Sequence, residues 1–425
     1  MRKHPKTSTE KPEIYSVNQA RQRDGVSRRE FAAVSSAIAA GSLVGASCSE
    51  PNSPKNEKRM EQENDCQRIV QYTHSDGVIS TAISPDGTLI ASGSYDAKIK
   101  LWRWPGGGLE RILSEHENTP LSILFSPDGT LLVSGSHDST IKIWGLPGGQ
   151  LLKTLTANSY LVNSVAISPD GTLLASGSDN GEINLWRLPD GELLNTLRGH
   201  SKAVDSVAIS SDGALLASGS KDGYIKLWRL PEGGFIKNIA EDSCHVSCVA
   251  ISPDGKLLIS GCGDADINDI KMWRLPEGEL LKTLPGFNTD VFSIVFSPDN
   301  SLFASVYGDT VNLRRLPDGE LIKSLTGHWG FVRSLAISQD GTLLVSGSVD
   351  KTVRLWSIPD GTPIGSLMDP ACEETLNCYN PNYPDASCRC NTVSTTCTCD
   401  KVCTCDQICT SDSSSSCGGT YWYPN

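Results

Sequence analysis

The stretch AVDSVAISSDGALLASGSKDGYIKLWRL, residues 203–230, holds three short apolar runs separated by SSDG and KDG, and LPEGG then leads into FIKNI at 235–239. Each run has four to seven residues and is bounded by Gly, Pro or Asp, the punctuation of strands joined by tight turns. A helix is a poor alternative, because Gly and Pro recur about every ten residues and no 3.6-residue period survives between them. The segment reads as a four-stranded antiparallel meander.

The same unit returns along the chain. Trp102, Trp144, Trp186, Trp228, Trp273, Arg314 and Trp356 close its third strand at steps of 42, 42, 42, 45, 41 and 42 residues. Asp86, Asp128, Asp170, Asp212, Asp254, Asp299 and Asp340 mark the SPDG turn and its variants at matching intervals. Seven copies at this period predict an all-β, seven-bladed propeller of four-stranded antiparallel blades. Copies five and six are worn, with a three-residue insertion within GDADIND at 263–269 and with Phe287 and Arg314 in place of His and Trp. They are expected to form the least rigid sector.

These copies resemble the WD-repeat β-propeller family over roughly residues 67–368, although the tryptophan is mostly followed by Arg rather than Asp. Gly199-His200 and Gly327-His328 carry the family's Gly-His. The resemblance implies buried hydrogen-bonded tetrads of His, Ser, Asp and Trp. These would be His74, Ser92, Asp96 and Trp102 in blade one, and His116, Ser134, Asp138 and Trp144 in blade two. Blade four has His200, Ser218, Asp222 and Trp228, and blade seven has His328, Ser346, Asp350 and Trp356. Blades three and five depart, with Asn158 and Asn180 in the His and Asp slots of one and Asp242 in the His slot of the other. His, Asp and Ser together also invite a catalytic triad, but a set repeated in four blades with Trp always attached reads as structure. With no nucleotide loop, zinc-protease helix or nucleophile elbow in the ring, no enzyme is expected.

Eight segments suit a fourth strand where seven places exist. QRIVQY at 67–72 is favoured as the strand that closes the ring, with TPIGSL at 362–367 as the alternative.

The ends are unlike the repeats. Residues 1–47 resemble a twin-arginine export signal, with Arg28 and Arg29 ahead of the Ala/Gly-rich AAVSSAIAAGSLVGAS, which is too short and mild to span a membrane. Cys48 stands where a lipoprotein's acylated cysteine would, although Gly45 occupies a place where Leu is usual. Residues 48–66 read as a flexible tether, which places the propeller in the periplasm or cell envelope of a bacterium, attached to a membrane only if Cys48 is lipidated.

Residues 369–425 hold ten of the 15 cysteines and too few aliphatic residues for a core. Cys388, Cys390, Cys397, Cys399, Cys403, Cys405, Cys409 and Cys417 are expected to pair as disulfides in an oxidising compartment. The alternative is Zn or an iron–sulfur cluster, because CxC in an extended segment puts both sulfurs on one side. Cys248 and Cys262 fall in slots held by serine in other blades and read as packed thiols, with a disulfide between their strands as the rival.

The net charge of −12 disfavours a nucleic-acid partner. The turn acids read as turn formers, with an acidic docking face as the alternative. Partner binding, of a protein or peptide, is expected on the opposite face. There Tyr95 of blade one, Phe287 and Tyr307 of blade six, and Trp329 and Phe331 of blade seven fall in consecutive loops. The function expected is a non-catalytic interaction scaffold, with a metal-binding or redox protein acting through the Cys-rich tail as the alternative.

Overall fold

The computed structural model describes residues 74–156, 160–240, 244–263, 268–285 and 289–367, together with the strands 388–391 and 396–399. Arg28, Arg29, Cys48, the 67–72 segment, Asn158, Asp242, Phe287, Cys403, Cys405, Cys409 and Cys417 lie outside the described residues. Between Val78 and Ser366 the chain forms seven four-stranded antiparallel sheets, each made of four consecutive strands. Blade four is representative, with strands at Val204–Ile209, Leu215–Ser220, Tyr224–Arg229 and Gly234–Ala240.

Local chemistry sets each turn. In blade four the Asp212 carboxylate accepts from the Ser210 hydroxyl at 2.5 Å and from the Ala214 backbone N–H at 3.0 Å, while Gly213 supplies a φ of +72°. The bond from Ser210 holds Asp212 below the usual carboxylate range, and the same bond acts on Asp86, Asp128, Asp170, Asp254, Asp299 and Asp340. These carboxylates are occupied in building their own turns.

The cores lie between blades. One cluster joins Ala175 and Leu185 of blade three to Val207, Leu216 and Trp228 of blade four. A side chain at Gly219 would come within 2.6 Å of Val246, so the next blade packs directly on bare second-strand backbone. Nearer the axis, a serine of one blade's first strand accepts a backbone N–H of the next, as in Val207 N to Ser164 Oγ and Val249 N to Ser206 Oγ. The ring closes with the same bond, Thr81 N donating to Ser334 Oγ at 2.9 Å.

Closure uses the alternative strand. Thr362–Ser366 pairs with Val353–Ser357 as the outer strand of blade seven. Around the perimeter, one outer-strand side chain reaches a turn carbonyl of the next blade. Asn195 donates to Glu232, Lys282 to Asp318 at 2.6 Å and Lys323 to Asp360 at 2.8 Å. Blade seven has Gly365 at that register and makes no such latch, so the seam to blade one rests on the apolar cluster of Val78, Ile90 and Trp102 with Val345 and Leu355, on the inner bond and on Lys351 Nζ to Ser75 O.

The cysteine expectation needs correction in blade five. Cys248 is a buried thiol outside any disulfide and donates to Val291 O, as Ser80 does to Pro120 O. Cys262 is instead bonded to Cys244, not packed as a thiol. The serines in its slot, Ser94, Ser136, Ser220 and Ser348, each donate to a carbonyl two residues after the His slot, and Cys244 occupies that loop position. The disulfide replaces a hydrogen bond with a covalent tie between the same two segments.

Blade six has a first strand of only three residues, Ile294–Phe296, against six in the other blades. Its Arg314 sits over the Tyr307 ring at 5.9 Å and donates to Gly319 O, so Ser305 lacks the indole donor its counterparts have.

Candidate partner-binding face

The four tetrads are assembled alike. In blade four His200 Nδ1 lies 2.9 Å from Asp222 Oδ2 and Nε2 lies 2.8 Å from Ser218 Oγ, which also accepts from Trp228 Nε1 at 2.9 Å. The same contacts measure 3.0, 2.8 and 2.8 Å in blade one, 2.6, 2.7 and 3.0 Å in blade two, and 2.7, 2.8 and 2.8 Å in blade seven. Because an ionised carboxylate can only accept, Nδ1 donates to it; the neutral imidazole then accepts at Nε2 from the serine hydroxyl, whose oxygen takes the indole N–H. That polarity matches a hydrolytic triad, but Ser92, Ser134, Ser218 and Ser346 are fully buried and no substrate can reach them. Blades three and five retain the indole-to-serine half, Trp186 to Ser176 and Trp273 to Ser260, each at 2.9 Å.

Burial lowers the pKa of His74 and His200 by disfavouring the imidazolium, which outweighs the opposing bonds from Asp96 and Asp222. Burial acts to raise Asp96 and Asp350, but the bonds from His74 and His328 and from nearby backbone N–H groups bring each down to about 2.

The tetrads also build the face. Each carboxylate accepts the backbone N–H that follows the His and one from its own turn, tying together the two loops that project on that side. In blade seven Asp350 accepts from Trp329 N at 3.0 Å and Thr352 N at 2.9 Å. A second tie joins the loops by backbone alone, as in Tyr95 N to Gly77 O and Val349 N to Phe331 O.

Trp329, Phe331 and Tyr95 are therefore side chains on clamped loops, 51%, 49% and 44% exposed. The surface between them is continuous. Phe331 approaches Gly308 of blade six, Val349 packs on Gly330, and Val349 reaches across the seam to Gly77, which Tyr95 flanks within blade one.

Tyr307 does not join them. It is 5% exposed and ends the second strand of blade six, paired with Thr310. Blade six is one residue short, so its hairpin turns on Gly308 and Asp309 alone. Tyr307 consequently falls in the buried slot of Ser94 and not in the loop slot of Tyr95. Burial pushes its hydroxyl pKa up, against the pull of nearby Arg314.

A second set of residues was hidden in the repeat. The first strand of most blades carries a bulge at its second residue; Val204 pairs with Ser220 and Ser206 with Gly219, leaving Asp205 between them unpaired. The matching positions are Ile79, Leu121, Asn163, Asp205, Ser247, Phe292 and Arg333. Neighbours interact around the axis: Asn163 Nδ2 lies 3.4 Å from Asp205 Oδ1, and the Arg333 guanidinium lies 3.8 Å from the centre of the Phe292 ring. Burial raises Asp205 to about 6 despite Lys221, whose ammonium is 3.6 Å away. The available signal was that this is the one place in the V-x-S-V-A-I strand whose chemistry changes from copy to copy.

The bulge positions of the seven first strands ring the axis at the mouth of the channel, and Arg333 there follows Trp329 and Phe331 of the aromatic arc along the chain. No curated protein matches the chain. The family model for the WD domain, G-beta repeat, matches residues 65–103, 107–145, 149–187, 191–229, 236–268, 278–313 and 319–357. Seven matches covering more than half of the sequence, one to each copy of the repeat, show that this chain belongs to the WD40 repeat family.

Proposed function

We propose that the chain is a non-catalytic scaffold that docks a protein or peptide on its loop face, at the arc of Tyr95, Trp329 and Phe331. WD40 propellers are usually scaffolds of this kind. The observation that carries the proposal here is three large aromatics, each about half exposed, on loops fixed by the Asp350 and Gly77 hydrogen bonds. Holding them costs little entropy on binding, because the loops are already ordered. The Cys244–Cys262 disulfide suits an oxidising compartment and supports export through the twin-arginine-like segment at Arg28 and Arg29. Pull-down from cell-envelope extract with Trp329→Ala and Tyr95→Ala tests the reading; partners retained by wild type should be lost, and unchanged capture contradicts it.

A second reading, in which the Cys-rich tail is the active part, draws on backbone register. Cys388 lies opposite Cys399 and Cys390 opposite Cys397 in a two-stranded antiparallel ladder, so two cysteine pairs fall one strand period apart. That arrangement suits four thiolates around one Zn or two cross-strand disulfides. Metal content together with the thiol count before and after chelation separates them: bound metal with thiols that titrate only after chelation favours a metal-binding tail.

A further inference from the structure

We propose that the mouth of the central channel recognises a carboxylate on the docked peptide, with Arg333 as the anchor and Tyr95, Trp329 and Phe331 as the apolar seat beside it. The inference rests on the loop face being the docking surface. The guanidinium of Arg333 differs from four on the perimeter. Arg103, Arg187, Arg274 and Arg315 lie exposed on the perimeter, and each has a glutamate partner, Glu110, Glu192, Glu279 and Glu320. Arg333 is half-buried, and among the described residues it has neither an ion-pair nor a hydrogen-bond partner. Unlike those four perimeter arginines, Arg333 is partly desolvated and has no glutamate beside it.

The bulge that takes residue 333 out of the ladder, with Val332 on Ser348 and Ser334 on Gly347, turns this position away from cross-strand pairing. The guanidinium carbon rests 3.8 Å from the centre of the Phe292 ring, and its N–H donors have no hydrogen-bond partner among the described residues, which leaves them for a planar acceptor. Burial disfavours its charge, and Tyr95 and Asp290 act on it only at longer range, so an arriving carboxylate would meet a cation with little competing hydration. Phe331 and Trp329 precede Arg333 on the same loop and strand.

The rest of the mouth narrows the occupant. Asp205, which Lys221 approaches at 3.6 Å, has Asp179 near it, and Asp290 acts on Arg333 at longer range; these acids would repel a polyanion, whereas one carboxylate beside an aromatic or aliphatic side chain can reach Arg333 and the arc. The occupant inferred is a peptide with a single Asp or Glu next to a large apolar residue.

A random heptapeptide phage library panned on the full chain provides the probe. Wild type should enrich Asp or Glu adjacent to an aromatic or aliphatic residue. For the strongest selected peptide, Arg333→Gln should weaken binding about 10- to 100-fold, and the peptide's own acid-to-amide change should weaken wild type as much while adding little to the variant. Arg333→Lys, which keeps charge and volume but not the planar fork, should fall between them and guards against a folding defect in the first variant. Selection of acid-free peptides that bind wild type and Arg333→Gln equally, yet are lost in Trp329→Ala, would overturn carboxylate recognition and leave the docking face standing. Peptides indifferent to Trp329→Ala and Tyr95→Ala, or no enrichment at all, would overturn both.

Discussion

Cys262 bonds Cys244 at the place where four other blades set a serine hydroxyl against a backbone carbonyl. Both devices tie the loop before the first strand to the end of the second, and the bridged segment spans 18 residues. A cross-link closing a loop of that size contributes about 3 kcal/mol, whereas the hydrogen bond returns about 1 kcal/mol. Cys262→Ser is therefore expected to destabilise the oxidised protein by about 2 kcal/mol in urea unfolding, and Cys262→Ala by about 3 kcal/mol. Added reductant should lower wild type and leave both variants unchanged. Equal stability of wild type and Cys262→Ser under oxidising conditions would contradict the substitution of one tie for the other.

Full tetrads and the indole–serine pairs differ in what a serine holds. Ser346→Ala deprives both His328 Nε2 and Trp356 Nε1 of a partner, while Ser176→Ala in blade three strands only Trp186 Nε1. Unsatisfied buried donors and acceptors cost about 1–3 kcal/mol each, so the first change should cost about 3 kcal/mol and the second about half of that. Chemical denaturation of the two variants decides the point. Similar losses would mean that the histidine adds nothing to the blade.

Asp205 gives the channel mouth a pH signature. Its folded pKa of about 6 exceeds the unfolded value of 3.8, so the folded state binds the extra proton. Its penalty is present in full above about 6 and is relieved as pH falls from there toward 3.8. Asp205→Asn should stabilise the protein by about 1–2 kcal/mol at pH 8, after discounting for partial solvent access and for the lost Lys221 contact, and by little at pH 4. His74 and His200 act in the opposite sense. Their folded values lie below 6.5, so the stability they hold is present above 6.5 and is lost as pH falls below it. Stability of wild type and variant measured from pH 8 to 4 should show the gap closing. A constant gap would show that Asp205 is not desolvated.

The perimeter latch offers a local test. Lys282→Ala removes the reach from blade five to Asp318 O of blade six, at a cost of about 0.5–1 kcal/mol for a solvent-exposed bond. Hydrogen exchange in the outer strand Glu279–Leu284 should quicken in this variant, whereas the outer strand of blade seven, which carries Gly365 at that register, should exchange fastest without any change. Slow exchange throughout blade seven would mean that its seam has another fastening.

The period was enough to read the blade number and the four-strand unit, because both depend on spacing that every copy repeats, while the grouping of His, Ser, Asp and Trp followed from the resemblance to the WD-repeat family. Tyr307 was misplaced because a one-residue deletion in a hairpin moves a side chain from loop to core, and the Trp-to-Trp step of 41 records the deletion without locating it. Arg333 and Asp205 stand at a strand position where the copies differ, and a period carries no signal for side chains that do not repeat. The Cys244–Cys262 bond required knowing that the His-slot loop and the end of the second strand touch, a contact seen in sequence only through the serines of the other blades.

The most direct test of the loop face places a photo-reactive phenylalanine analogue at Tyr95 and, in a separate variant, at Thr130 on the opposite, Asp-turn face, followed by irradiation of cells producing the full chain. Tyr95 lies beside the seam of blades seven and one, and Thr130 is an exposed turn residue bonded to Asp128. Cross-linked adducts should form at residue 95, diminish when Trp329→Ala is added, and be absent at residue 130. Adducts at residue 130 alone, or equal adducts at both, would contradict the assignment of the docking surface to the loop face.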